Sequence, residues 1–153
     1  MFKPKIIRRY DGKPYLVRWH IIPRNRFFNI SLHKFVNDDD DRALHDHPWG
    51  SLSIRLSRAT FREHYAAHHD LLFAMPAPVD FDMTLSRLAP RVCFRPAKFA
   101  HRLELINGAP VWTLFITGSR VREWGFHCPK GWRHWRTMTT LEGKSIGSCD
   151  NDA

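Results

Sequence analysis

His45-Asp46-His47-Pro48-Trp49 decides how this 153-residue chain is read, because it sets two imidazoles one residue apart at the threshold of a β-like run. On a strand successive side chains alternate faces, so positions 45 and 47 project from one side and Asp46 from the other. Two neutral imidazoles held together on a strand edge are half of a first-row transition-metal site. The other half has to come from elsewhere in the chain. His101, in Pro96-Ala97-Lys98-Phe99-Ala100-His101-Arg102, is the best candidate, and with it the sequence reads as a metal-binding β-barrel.

Directly after the histidine pair, Ser51-Leu52-Ser53-Ile54-Arg55-Leu56 alternates apolar and polar residues. Period two predicts a strand with one face buried and the other lining an interior. Upstream, residues 15–22 and 28–35 read as strands, the first closed by Pro23-Arg24-Asn25, and Asn37-Asp38-Asp39-Asp40-Asp41 is a polar loop leading into the pair. Downstream, strands are predicted over about 59–64, 91–95, 101–106, 111–117 and 121–126. Asn107-Gly108 marks a turn, since this dipeptide supports positive φ. Residues 65–90, broken by Pro76, Pro78 and Pro90, read as a long insert with one short strand.

Eight or more short strands and no helix of useful length define an all-β chain. Closure into a barrel or jelly roll removes aggregation-prone edges. Residues 1–140 form a single domain on this reading, and 141–153, poor in core residues, form a flexible C-terminal tail.

Hydrophobic residues make up 43% of the chain and aromatics 13%, enough to build a core rather than remain disordered. Cys93, Cys128 and Cys149 are odd in number, far apart and without a CxxC pair. Neither a thiolate zinc site nor a disulfide framework is expected, and a reduced, cytoplasmic setting fits. The first ten residues carry charge without an apolar core, unlike a signal peptide, and no stretch has the length of a membrane span. A formal charge of +9 favours an anionic partner, but the basic residues are scattered and no nucleic-acid motif is present. A small-molecule partner is therefore favoured over nucleic acid.

The residues around the histidines resemble the motifs of the cupins, a family of jelly-roll proteins. The first cupin motif carries His-x-His, matched by His45-Asp46-His47, and the second a proline five positions ahead of a histidine, matched by Pro96 and His101. More narrowly, Asp41, His45 to Trp49, Arg62-Glu63, His101-Arg102, Trp112-Thr113-Leu114 and Trp124-Gly125-Phe126 resemble a group of small cupin-like proteins, some from phages and bacteria. The resemblance covers roughly residues 15–135.

It implies a double-stranded β-helix, the cupin jelly-roll barrel, with a divalent transition metal on His45, His47 and His101. Fe(II) is favoured, with Zn, Ni or Mn as alternatives. Ser51 and Leu52 stand where many cupins place a metal-binding Glu, and Lys98 stands where the second motif has Gly. Glu63, on the next strand, is the natural substitute if register allows; Asp41 and Asp46 are weaker candidates. Arg55, Arg95 and Arg102 are the expected carboxylate anchors, since guanidinium binds carboxylate bidentately. A homodimer sharing strands is a further implication of the family.

Other residues read more plainly. His33 is expected to be a satisfied core or surface histidine, and His64, His68 and His69 a surface cluster. Trp112, Trp124, Trp132 and Trp135 are expected to fill the barrel. Two functions follow. One is a mononuclear metal-dependent enzyme, oxygenase- or dioxygenase-like, acting on a small organic substrate. The other is a non-catalytic small-molecule-binding or structural jelly roll, such as a sensor or a phage-associated accessory protein; between the two stands an inherited but degenerate metal site.

Overall fold

The period-two segments become twelve strands in the computed structural model, which describes residues 3–9, 11–39, 43–66, 84–140, 146, 147 and 149. These are β1 (Lys5–Arg8), β2 (Pro14–His20), β3 (Asn29–Phe35), β4 (Leu44–His45), β5 (Ser51–Arg55) and β6 (Phe61–Ala66), followed by β7 (Thr84–Leu88), β8 (Val92–Arg95), β9 (His101–Leu105), β10 (Val111–Thr117), β11 (Gly125–Cys128) and β12 (Gly131–His134). Two single-turn 3-10 segments, Ile106–Gly108 and Trp135–Thr137, are the only helical elements among the described residues.

The strands form two six-stranded antiparallel sheets, in the orders β1-β2-β3-β10-β5-β8 and β12-β11-β4-β9-β6-β7. Non-consecutive neighbours in both orders are the crossovers of a jelly roll. Asn107 (φ 54°) and Gly108 (φ 65°) supply the positive φ expected between β9 and β10. β7 lies within the long proline-interrupted stretch and pairs with β6. Residues 67–83, with His68 and His69, lie outside the described residues, as do Asp41 and most of 141–153.

One end of the space between the sheets is closed by apolar packing. Leu16, Phe35 and Val111 stand in one cross-strand row of the first sheet and meet Phe61, Leu103 and Leu105 of the second. Phe35 and Phe61 pack edge to face with centroids 5.0 Å apart, the geometry the ring quadrupoles prefer. A second cluster of Phe126, Cys128, Trp135, Met138 and Cys149 lies beside β11.

Two expectations are corrected here. Ser51, Ser53 and Arg55 face inward, while Leu52, Ile54 and Leu56 face outward, the reverse of a simple buried-apolar strand. Register fixes this: Ser51 lies opposite Thr117 and Arg55 opposite Thr113, on the face that carries Leu16 and Phe35. The outer face of the first sheet is correspondingly apolar, with Phe94 67% exposed and Trp19 stacked on Trp112. Trp112 therefore covers the outside rather than filling the barrel.

The cysteines are the second correction. Cys128 and Cys149 form a disulfide across 21 residues, and Cys93 is buried and free. Met138 anchors the return of the chain, its carbonyl accepting from the Ile146 and Gly147 amides. The expected reduced setting loses the cysteine argument that supported it. No helix of the described residues is long and apolar enough to cross a membrane.

Candidate metal centre

β4 is only two residues long, so His45 sits on it and His47 just beyond. His45 pairs across the sheet with His101 on one side and Phe126 on the other. The His47 amide donates to the Ala97 carbonyl at 3.0 Å, which brings its ring back toward the same space. The His45 and His47 ring centroids are 5.0 Å apart, and each lies 5.3 Å from that of His101. One ring nitrogen from each of the three comes within 4.8 Å of the others. His47 Nε2 and His101 Nε2 are 3.0 Å apart. Two imidazole nitrogens sharing one ion at about 2.1 Å and roughly a right angle would stand ~3.0 Å apart. The donor set therefore fits a divalent transition metal.

Asp46 turns away from the pair, as alternation requires, and is nonetheless buried. It accepts from the Gly125 amide at 2.8 Å, His127 Nε2 at 3.0 Å and Trp132 Nε1 at 3.1 Å, and pairs with Arg122 at 2.9 Å. Burial of the carboxylate raises its pKa, but His127, the Gly125 amide and Arg122 together hold it below the usual range. Gly125 permits this close approach: a Cβ there would run into the Arg133 carbonyl and the Trp132 ring. Asp46 thus ties the histidine loop to β11 and β12.

Glu63 is fully buried and meets the histidines from behind rather than joining their donor group. Its Oε1 accepts from His101 Nδ1 at 2.8 Å and Arg95 Nε at 2.6 Å, and its Oε2 from Arg87 Nε at 3.0 Å. Burial disfavours the Glu63 charge, yet His101 and Arg95 outweigh it and leave the carboxyl well below its ordinary value. An ionised carboxylate only accepts, so His101 carries its proton on Nδ1 and turns the Nε2 lone pair toward His47.

His101 itself is pushed down to about 4, chiefly by burial. The hydrogen bond to Glu63 pulls the other way, but burial, with Arg95 and His45 adding to it, prevails. His47 is held well below its ordinary value by burial first, then by His45 and His101, with Arg95 and Arg18 adding to the effect. His45 Nδ1 in turn faces Asp39 Oδ2 at 3.2 Å. His101 has a carboxylate hydrogen-bonded at Nδ1, the arrangement that orients metal-ligating histidines.

The trio opens into a cavity of about 420 Å³ between the sheets, within the size range of small-molecule sites. None of the three expected anchors lines it. Arg95 spends its guanidinium on Glu63 and on Ser53 Oγ at 2.9 Å. Arg55 bonds the Ala59 carbonyl. Arg102 follows His101 on β9, so period two turns it to the opposite face. The cavity is lined instead by Arg18, His20 and His33 from the first sheet, with Trp124 and Trp135, stacked at 5.8 Å, on the other side. His33 is interior but outside the donor trio, and His64 pairs with Glu104 at 2.7 Å on the outer face.

No family model matches the chain, and no curated protein matches it in sequence. Solved structures do resemble it. The DMSP lyase DddQ from Ruegeria pomeroyi DSS-3 superposes with a TM-score of 0.52 at 12% identity, over 84% of this chain and 63% of that one. Fe(II)-HppE with the alternative substrate (S)-1-HPP gives 0.51 at 14% identity, over 76% and 56%. Both are cupin-fold proteins. This chain has the cupin fold.

Peruvianin-I, a cysteine peptidase from Thevetia peruviana latex, also superposes, with a TM-score of 0.51 at 8% identity over 86% of this chain and 74% of that one. The chain spans less than two thirds of the length of the lyase and HppE structures. Identities this low speak to the shared cupin scaffold. Chemistry has to be argued from the site.

Proposed function

We propose that this chain is a mononuclear metalloprotein that holds a divalent transition metal, Fe(II) foremost, on His45, His47 and His101. It acts on a small organic substrate in the adjoining cavity, in an oxygenase- or dioxygenase-like reaction. The observation that carries this reading is the convergence of three ring nitrogens within 4.8 Å at the wall of a cavity of about 420 Å³. Fe(II)-HppE, on the same scaffold, makes iron the first metal to test.

A bound metal would supply a Lewis acid with open positions for a chelating substrate. The chain's own residues do the rest. Glu63 fixes the His101 tautomer, Asp39 faces Nδ1 of His45, and burial keeps His47 and His101 neutral and ready to donate lone pairs. Three neutral imidazoles leave the charge of the ion uncompensated, which favours an anionic substrate. Thiol chemistry of the kind in the name of peruvianin-I has no support here, because burial pushes the Cys93 thiol up.

A second reading rests on the same 3.0 Å contact. His47 can donate Nε2–H directly to His101 Nε2, closing the trio as a hydrogen-bonded cluster in a non-catalytic binding protein. Metal analysis of protein purified without added metal, followed by Fe(II), Zn(II), Ni(II) and Mn(II) titration, separates the two. One equivalent bound, and lost in a folded His101→Ala variant, is expected. Sub-stoichiometric metal that no titration restores would overturn the metal reading in favour of the second.

A further inference from the structure

Arg18 projects from β2 into the cavity, half-buried in its wall. Burial pulls its guanidinium down to about 10, helped by the neighbouring Arg24. A charge withdrawn this far from water favours a paired state, yet no carboxylate among the described residues pairs with it. Its one hydrogen-bond partner among the described residues is neutral: Nε donates to His33 Nε2 at 2.9 Å.

His33 is built to hold that position. It is 2% exposed, stacked on Phe115 at 4.7 Å and set edge-on to Phe35 at 5.9 Å. Burial and the Arg18 charge keep it uncharged, so it accepts from Nε without repelling the cation. One edge of the guanidinium is thus fixed, and its two terminal nitrogens have no protein partner among the described residues.

The surroundings share one sign. Lys5 lies opposite Arg18 in the β1–β2 register, and Lys5, Arg18 and Arg24 all bear on His20. Asp39 is the one acidic residue lining the cavity among those described, and it faces His45 at the histidine wall. The cavity therefore has a histidine wall and, on the opposite sheet, a basic lobe.

We propose that Arg18, positioned by His33, is the anchor for a carboxylate of the substrate, and that the ligand is a small organic acid reaching from this lobe toward the histidine trio. A planar guanidinium with two free donors matches a carboxylate in a bidentate pair. The assignment rests on the proposed function for the acid's role as substrate. Anion binding itself needs no metal.

The test is binding of short-chain mono- and dicarboxylates to metal-free protein, read by calorimetry and by fluorescence of the cavity residues Trp124 and Trp135. Neutral amides of the same acids and inorganic phosphate serve as comparison ligands. At least one carboxylate should bind, its amide should not, and Arg18→Gln should weaken binding roughly ten- to a hundredfold. Arg18→Lys keeps the charge but loses the fork and should fall between. Equal urea midpoints and unchanged metal uptake in the variants mark the effect as local.

Carboxylate binding that survives in R18Q, or failure of every carboxylate to bind wild-type protein, overturns the proposal. Phosphate binding in preference to all carboxylates overturns the carboxylate class. His101→Ala separates this idea from the metal reading: it should abolish metal uptake and leave carboxylate binding to the metal-free protein intact.

Discussion

Glu63→Gln changes a single buried charge and should have a large effect. Three donors converge on the carboxylate: Arg95 Nε at 2.6 Å, His101 Nδ1 at 2.8 Å and Arg87 Nε at 3.0 Å. A glutamine can keep its carbonyl where Oε1 stands, facing Arg95 and His101, so its NH₂ group must face Arg87. The Arg87 side chain is 39% exposed and can turn to water, so that lost bond is cheap. Arg95 cannot follow, because its side chain is 5% exposed and no other anion among the described residues pairs with it. Removing one partner of a buried ion pair costs about 3–5 kcal/mol. In a chain of this length that lowers the melting temperature by roughly 10 °C and the urea midpoint by about 2 M. The substitution also exchanges the charged acceptor behind His101 Nδ1 for a neutral one, so metal affinity should fall about 10–100-fold, as when other such outer partners are altered. Urea denaturation at neutral pH, with Glu63→Asp as the charge-retaining control, measures the first effect and metal titration the second. Unfolding of E63Q at the wild-type midpoint would show that the two arginines tolerate each other without the carboxylate, and the reasoning would fail.

Acid should destabilise the fold early. Unfolded His101 takes up its proton near 6.5 and folded His101 only near about 4, so between these values the unfolded chain binds more protons. Falling pH through that window favours unfolding, by up to about 3 kcal/mol from His101 alone, and His33 and His47 act in the same direction. A urea midpoint that stays constant from pH 7 to pH 5 would contradict this. The Cys128–Cys149 disulfide closes a 21-residue separation, which on the chain-entropy account is worth about 3 kcal/mol. Cys149→Ser, compared with reduced wild-type protein by denaturation, should reproduce that loss, and equal stability of oxidised and reduced protein would rule it out.

Much of the donor trio was legible because its signals were local. The spacing of His45 and His47, the turning away of Asp46 and the proline ahead of His101 each depend on a few neighbouring residues and the period of a strand. Period two could also have turned Arg102 away from the site, since it follows His101. Glu63 depended on register, which the sequence of one strand does not contain: pairing with Leu103 and Arg87 sets the carboxylate behind His101. The disulfide depended on the chain's return past Met138, for which the tail carries no periodic signal.

Arg18 was hidden for a deeper reason. Alternation divides a strand into two faces but does not say which is inside, and the usual tie-breaker is hydrophobicity. In β2 that rule places Val17 and Trp19 inward and Arg18 outward. The cross-strand rows decide otherwise. Arg18 lies opposite His33, His33 opposite Thr113 and Thr113 opposite Arg55, one polar row running across the inner face of the first sheet. Its neighbouring row, Leu16, Phe35 and Val111, is the apolar floor. Within the row, Arg55 Nε, Thr113 Oγ1 and His33 Nδ1 are buried without hydrogen-bond partners, each a cost of about 1–3 kcal/mol. A sheet that only had to be stable would gain by exchanging its faces, since its outer side already carries the leucines and isoleucines of a core. That it carries its polar row inside, against the histidine wall, is the physical sign that the interior is shaped for a ligand.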